Sequence, residues 1–406
     1  MKLFYSLIIL VFITSVFSSC DLLFGSKKDT QTAQIFVAGN IDPHLYPTSV
    51  GYVPILPFFT GVSNPVDVYV GFDQMVYVAD DNGVEILDLT GKFQRRIPIL
   101  GATDIVQDRR QHTYVCGRLL KDVTGDGIPE NLPAVYHLYN ASAAGGPIFV
   151  DTLIQPFCDN SRSTSGYRAS DLQVQFTGVA CLADNRIYVS RTGPVNNLTT
   201  VAIPDNSILI FDKDGNNLGN CTGLNPTNSS LKSELNISSI ATQQVPPQSY
   251  VDASDNFFIT QASPQAEYGV LNILEYNDPV AGITYGENSS LLNFDYTKAN
   301  SFLYKSFRFK NATDVYAAPG ATGYIFVVDN QTDSLYQFTQ RGYEGVNPPA
   351  NSGITKQIIA SFGGAGSGPF QFNQPSGVCS FNKIIYVADK GNNRICRYKL
   401  STDLEQ

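Results

Sequence analysis

The sequence has no tryptophan, two methionines and three histidines in 406 residues, and only 16% of it is charged. Lys and Arg number 27 against 36 Asp and Glu, for a net charge of −9. Phosphate contacts need clustered Lys and Arg, so this balance argues against a nucleic-acid partner. The three histidines, His44, His112 and His137, are too few and too scattered for a multi-histidine metal centre. No Gly-x-Ser-x-Gly elbow, phosphate-binding Gly-Lys loop or His-Glu-x-x-His is present. Long apolar runs are scarce as well: Leu3 to Phe17, about 15 residues, stands alone and is short for a spanning helix.

What is abundant is Gly (33), Pro (22), Tyr (22) and Phe (25), in a chain that is 43% hydrophobic. That apolar content excludes a mostly disordered chain. Aromatics and turn residues at low charge favour many short strands over long helices.

The N-terminus reads as an address. Lys2 precedes the apolar run, and the small residues Ser18 and Ser19 then precede Cys20. The segment resembles a bacterial lipoprotein signal, which implies a signal peptide over 1–19 and lipidation of Cys20. Residues 20–50 are expected to form the lipidated start and tether. The remainder would stand outside the cytoplasm in the cell envelope, held to a membrane by lipid.

A repeat fills the rest. A small or acidic residue followed by a β-branched one occurs at Asp67-Val68, Asp104-Ile105, Gly178-Val179, Ser239-Ile240, Asp314-Val315 and Gly377-Val378. Each is followed by an aromatic-aliphatic strand centred on Val78, Val115, Val189, Ile259, Val327 and Val387, at offsets of 11, 11, 11, 20, 13 and 10. A third apolar or alternating segment comes after each. This is a strand–turn–strand–turn–strand unit whose apolar faces only a neighbouring unit can cover. Six such units over 51–402 predict an all-β, six-bladed β-propeller. Outer strands are expected at 95–100, 148–154, 304–309 and 356–361. The last unit runs out of chain, so Tyr52 to Phe59 is expected to supply its outer strand and close the ring. Pro54 and Pro57 suit an edge strand.

In the last unit, Phe362-Gly363-Gly364-Ala365-Gly366-Ser367-Gly368, Gln374-Pro375-Ser376-Gly377-Val378, Ile385-Tyr386-Val387-Ala388-Asp389 and Asn392-Asn393-Arg394-Ile395 together resemble an NHL repeat. That resemblance implies the same six-bladed ring. The family spans binding platforms, RNA binders, sensors and a metal-dependent lyase, so it does not fix a function.

Two places carry candidate chemistry. Asp67, Asp104 and Asp314 share one repeat position on strands expected to line the central channel, with Arg191, Lys390 and Arg394 adding positive charge to its rim. Three carboxylates there would bind a cation or polar ligand; the bland alternative is that the position caps strand entry. Separately, Asp122, Thr124 and Asp126 alternate ahead of Gly127, the Ile128 carbonyl and Glu130, in the manner of half a calcium loop. Calcium is therefore the one cofactor suggested.

Six cysteines follow Cys20. Cys158 and Cys221 lie in insertions and are expected to form a disulfide, whereas Cys379 and Cys396 sit two strands apart and exceed disulfide reach. In function, the missing nucleophile constellation favours a non-enzymatic binding platform for another envelope protein or a polar ligand. The competing expectation is a calcium-dependent, lactonase-like hydrolase with its site in the channel.

Overall fold

The computed structural model describes residues 41–404, apart from 46, 48, 163–165, 198–202, 223, 225–235, 244, 249–255, 264–265, 281 and 320–322. The segments expected to form the signal peptide (1–19), the lipidated Cys20 and most of the tether fall on residues 1–40, outside the described residues. Among those described, no helix is long and apolar enough to cross a membrane.

The repeat becomes six antiparallel sheets. Each inner strand begins at or just before the repeat position found above: Asp67–Val70, Asp104–Gln107, Gln175–Cys181, Ile237–Thr242, Ala312–Ala317 and Pro375–Phe381. We number the blades 1 to 6 in that order. The aromatic-aliphatic segments are the second strands, Met75–Asp80, Thr113–Lys121, Ile187–Thr192, Phe257–Gln261, Ile325–Asp329 and Ile384–Asp389. Both sheet faces of these strands are covered, which explains near-continuous burial rather than a polar–apolar alternation.

The core lies between blades. Val76 and Val78 of blade 1 pack with Tyr386, Ala388 and Ile395 of blade 6. Val328 and Leu335 of blade 5 pack with Val387, Cys396 and Tyr398 on the other side of that blade. One sheet alone would leave these faces wet, so the fold is stable only as a ring.

The ring closes as the sequence predicts. Tyr52–Pro54 pairs antiparallel with Arg394–Leu400, with Tyr52 opposite Leu400, and Phe59–Thr60 pairs with the start of the same strand. The two prolines split the expected single strand into two short pieces, since neither can donate to the ladder. The Tyr52 hydroxyl donates to Gln337 Oε1 at 2.6 Å, fastening the closing segment to blade 5 as well.

Two of four outer strands differ from expectation. Phe93–Ile97 and Ile148–Ile154 are found close to where they were placed. Blade 4 instead uses Gly282–Glu287, and blade 5 only Phe362–Gly363. Residues 304–309 form a loop whose ends, Tyr304 and Phe309, are buried in the blade 4–5 core while 305–307 stay exposed. Their apolar side chains signal burial, and burial here is in a loop. The expected Cys158–Cys221 bond is also corrected: both thiols are free. Cys158 packs against the core of blades 1 to 3 and Cys221 against that of blades 3 to 5. Cys379 and Cys396 are free too.

Closure can be tested at Val53, which has no exposed surface. Val53→Asp buries a charge in the seam, and we expect it to cost about 3 kcal/mol or more. Thr60→Asp, on the exposed side of the closing segment, should stay within about 0.5 kcal/mol of wild type. Denaturant unfolding of both variants checks this.

Candidate active site at the channel mouth

The inner strands converge at one end of the channel, around a cavity of about 580 Å³. Asp67, Asp104 and Asp314 line it, as do Ser239, Arg118 and Lys390. Beyond the carboxylates the channel shrinks to about 40 Å³ between apolar side chains such as Val68, Ile105, Ile240 and Tyr316. The carboxylates thus form the floor of an open cup.

Each carboxylate reaches to the next blade. Asp67 Oδ2 accepts the Ile105 amide at 3.0 Å, Asp104 Oδ2 the Val179 amide at 3.3 Å, and Asp314 Oδ2 the Val378 amide at 2.6 Å. Asp67 and Asp314 also use Oδ1 to accept the amide of the residue that follows them. In blade 4 the same position is Ser239, whose hydroxyl donates to Asp314 Oδ1 at 2.5 Å. The two remaining positions are glycine for a steric reason. A Cβ on Gly377 would stand 2.7 Å from Asp67 Cα, and one on Gly178 would stand 3.0 Å from the Ile240 amide. Where no side chain bridges forward, the neighbouring backbone comes in close instead.

A second polar ring precedes the first by one residue. The Thr103, Ser238, Thr313 and Ser376 hydroxyls donate to the carbonyls of Phe176, Ala312, Pro375 and Pro65, each in the following blade. In blades 3 to 6 this residue sits at a register shift, where a β-bulge turns it towards the neighbour. The sequence reading missed this ring, although Thr or Ser ahead of the repeat position in five of six copies was available as a signal.

The floor is electrostatically unusual. Asp67 is buried, while Asp104 and Asp314 are half-buried. Among the described residues none of the three forms an ion pair. Burial, and then the charge of neighbouring carboxylates, pushes Asp67 and Asp104 well above the ordinary carboxylate range. Burial lifts Asp314 to about 6, against the lowering hydrogen bonds of Ser239, Val378 and Val315.

The cations expected on the rim part company. Lys390 lines the cup. Arg191 does not: it has no exposed surface and pairs with Asp159 at 2.8 Å, with further bonds to Gln155, Ser207 and the Pro204 carbonyl. Arg394 ties Asp389 at 2.7 Å to the carbonyls of Ser367, Gly368 and Gln371. Both are spent on structure. Arg118, at the end of a second strand, lines the cup while donating to the Asn131, Leu172 and Val174 carbonyls.

The donor type at the floor suits a hard cation. The placement does not make a cage: among the described residues, no three acidic, histidine or cysteine side chains are grouped to hold one metal ion. In the Asp122 loop, at the tip between two strands of blade 2, the carboxylate turns back onto the loop. Asp122 accepts the Gly125 and Gly127 amides, Asp126 the Ile128 amide and Glu130 the Val123 amide.

The NHL repeat description matches residues 372–398, the heart of blade 6. No curated protein matches the chain. Among solved structures, an auxiliary nutrient binding protein from Bacteroides ovatus is 10% identical, covering 89% of this chain and 75% of its own, with a TM-score of 0.49. A gluconolactonase from Xanthomonas campestris is 11% identical, covering 89% and 94%, with a TM-score of 0.46. A virginiamycin B lyase from Staphylococcus aureus is 11% identical, covering 87% and 100%, with a TM-score of 0.42. Two of these three are named as enzymes. Lack of a familiar nucleophile motif does not make such a ring non-catalytic, and the expectation of a non-enzymatic platform is withdrawn.

The shifted carboxyls predict a pH dependence. A carboxyl whose pKa is higher folded than unfolded binds its proton more tightly in the folded state, so these groups favour folding as pH falls through about 6 towards 4. Between about pH 7 and pH 5 the wild type should gain stability relative to Asp314→Asn, whose side chain does not titrate. Thermal unfolding of both across that range checks it; a difference that is flat with pH contradicts the electrostatic account.

Proposed function

We propose that the chain is a hydrolytic enzyme of the lactonase type, acting on a small polar substrate in the cup at the channel mouth. The observation that carries this is the set of three carboxyls at the floor of an open polar cavity, none of them in an ion pair among the described residues and all three held above the ordinary carboxylate range by burial. Carboxyls grouped in one water-accessible cup can divide acid and base roles between them.

Asp314, at about 6, is mostly ionised at neutral pH and is suited to take a proton from water. Asp104, which burial and the neighbouring Asp67 and Asp314 push well above the ordinary range, is the member suited to donate a proton. In lactone opening, water adds to the carbonyl carbon and loses a proton to Asp314. The ring C–O bond then breaks, and the leaving oxygen takes the Asp104 proton. The product is a hydroxy acid, and its carboxylate would be drawn to Lys390. Asp67, the one buried member of the three, acts as a positioning residue. In the same reading the domain stands in the cell envelope, anchored by lipid on Cys20. Metabolic labelling with a fatty-acid analogue should mark the wild type and not Cys20→Ala.

The activity test uses small lactones and aryl phosphoesters, first with a chelator and then with added calcium. Lactone opening should rise with pH through an apparent pKa near 6 and fall by about 100-fold or more in Asp314→Asn at unchanged circular dichroism. The reading fails if neither substrate class turns over in either condition, or if Asp314→Asn and Asp104→Asn both keep full rate. Turnover that appears only with calcium would replace the metal-free scheme by one with the ion in the cup.

A further inference from the structure

On the face opposite the mouth, the seam between blades 4 and 5 opens into a cavity of about 450 Å³. Six carboxamides line it: Gln243, Asn256, Asn272, Asn288, Asn293 and Gln340. Arg341, Ser290 and Tyr343 also border it, and no Asp or Glu stands among the described lining residues.

Part of this lining is rigid. Asn272 is buried, and its Nδ2 donates to the Phe257 carbonyl at 3.1 Å. Its Oδ1 accepts Asn288 Nδ2 at 2.9 Å, while Asn288 Oδ1 accepts the Ser290 amide and hydroxyl. The other part is open: Asn293, Gln340 and Arg341 are exposed. Gly323, at φ 51°, makes room for Gln340, because a Cβ there would stand 3.2 Å from its side chain. The Tyr343 ring is held nearly perpendicular to Phe302, with centroids 5.8 Å apart.

The chemistry of the wall selects its ligand. A carboxamide offers a donor and an acceptor side by side without charge. A cation would ask for carboxylates, and an anion for more than one guanidinium. An apolar molecule would leave the amides dry and unsatisfied. A compound carrying many hydroxyls, each both donor and acceptor, suits all of these groups, and the volume is that of an ordinary small-molecule site. We infer that the seam cavity is a saccharide site, taking a neutral disaccharide-sized ligand independently of the channel mouth.

Isothermal titration of the purified full chain with cellobiose, maltose, lactose and N,N′-diacetylchitobiose tests this. At least one should bind below about 20 mM. Gln340→Ala and Asn293→Ala, both at exposed positions, should each weaken that binding by about 10-fold. Asp314→Asn, on the other face, should leave it unchanged. The inference is overturned if none of the four sugars binds, if binding survives in the Gln340→Ala/Asn293→Ala double variant, or if it disappears in Asp314→Asn. In the last case the sugar belongs to the mouth.

Discussion

The contact between neighbouring inner strands is the constraint on which the rest depends. Apolar faces between sheets drive association, but burial is non-directional and tolerates sliding along the channel axis. The polar contacts at the mouth do not. A carboxylate oxygen meets one amide of the next blade, and a hydroxyl meets one carbonyl three residues before it. These bonds set the height of each blade against its neighbour. Closure by Tyr52–Pro54 then succeeds because blade 6 arrives at the height where its third strand is still open on its outer side.

This solution has an electrostatic consequence. Three of six equivalent positions are aspartate, so the assembly device places like charges around one opening. Backbone amides stabilise each carboxylate in part, while burial and mutual repulsion work the other way. The net effect is to raise all three above the ordinary carboxylate range. A cup lined by raised carboxyls therefore arises at the place where the ring is stitched together, and in Asp67, Asp104 and Asp314 architecture and electrostatics are set by the same bonds. The two readings of that position from sequence, strand entry and ligand floor, describe one geometry.

How much was legible in the sequence follows from what the repeat constrains. Inner strands carry the bridge residue and second strands are buried on both faces, so both left a recurring pattern and were placed within a residue or two. Outer strands touch solvent and need little beyond a ladder, so Gly282–Glu287 carries no signature, while Tyr304 and Phe309 imitate one from inside a loop. Charges were the hardest to place. Arg191 ends a strand and reads as a rim cation, yet Asp159 and Gln155, contributed by a distant insertion, receive it in the interior. A buried ion pair depends on both partners arriving together, and the sequence around one of them does not reveal the other.

The two cavities differ in how they relate to the repeat. The mouth is built from equivalent positions and inherits their shared charge. The seam between blades 4 and 5 is built where the repeat is broken, since blade 4 has the offset of 20 instead of about 11, and its carboxamides occupy unrelated positions from 243 to 340. Residues at equivalent positions must satisfy the ring before anything else, which limits them to acceptors and donors that fit a neighbouring backbone. Positions outside the repeat motif are free of that demand. They can gather neutral donor–acceptor pairs whose only common feature is the space they enclose, and so shape recognition is more readily built in the irregular seam than in the symmetric mouth.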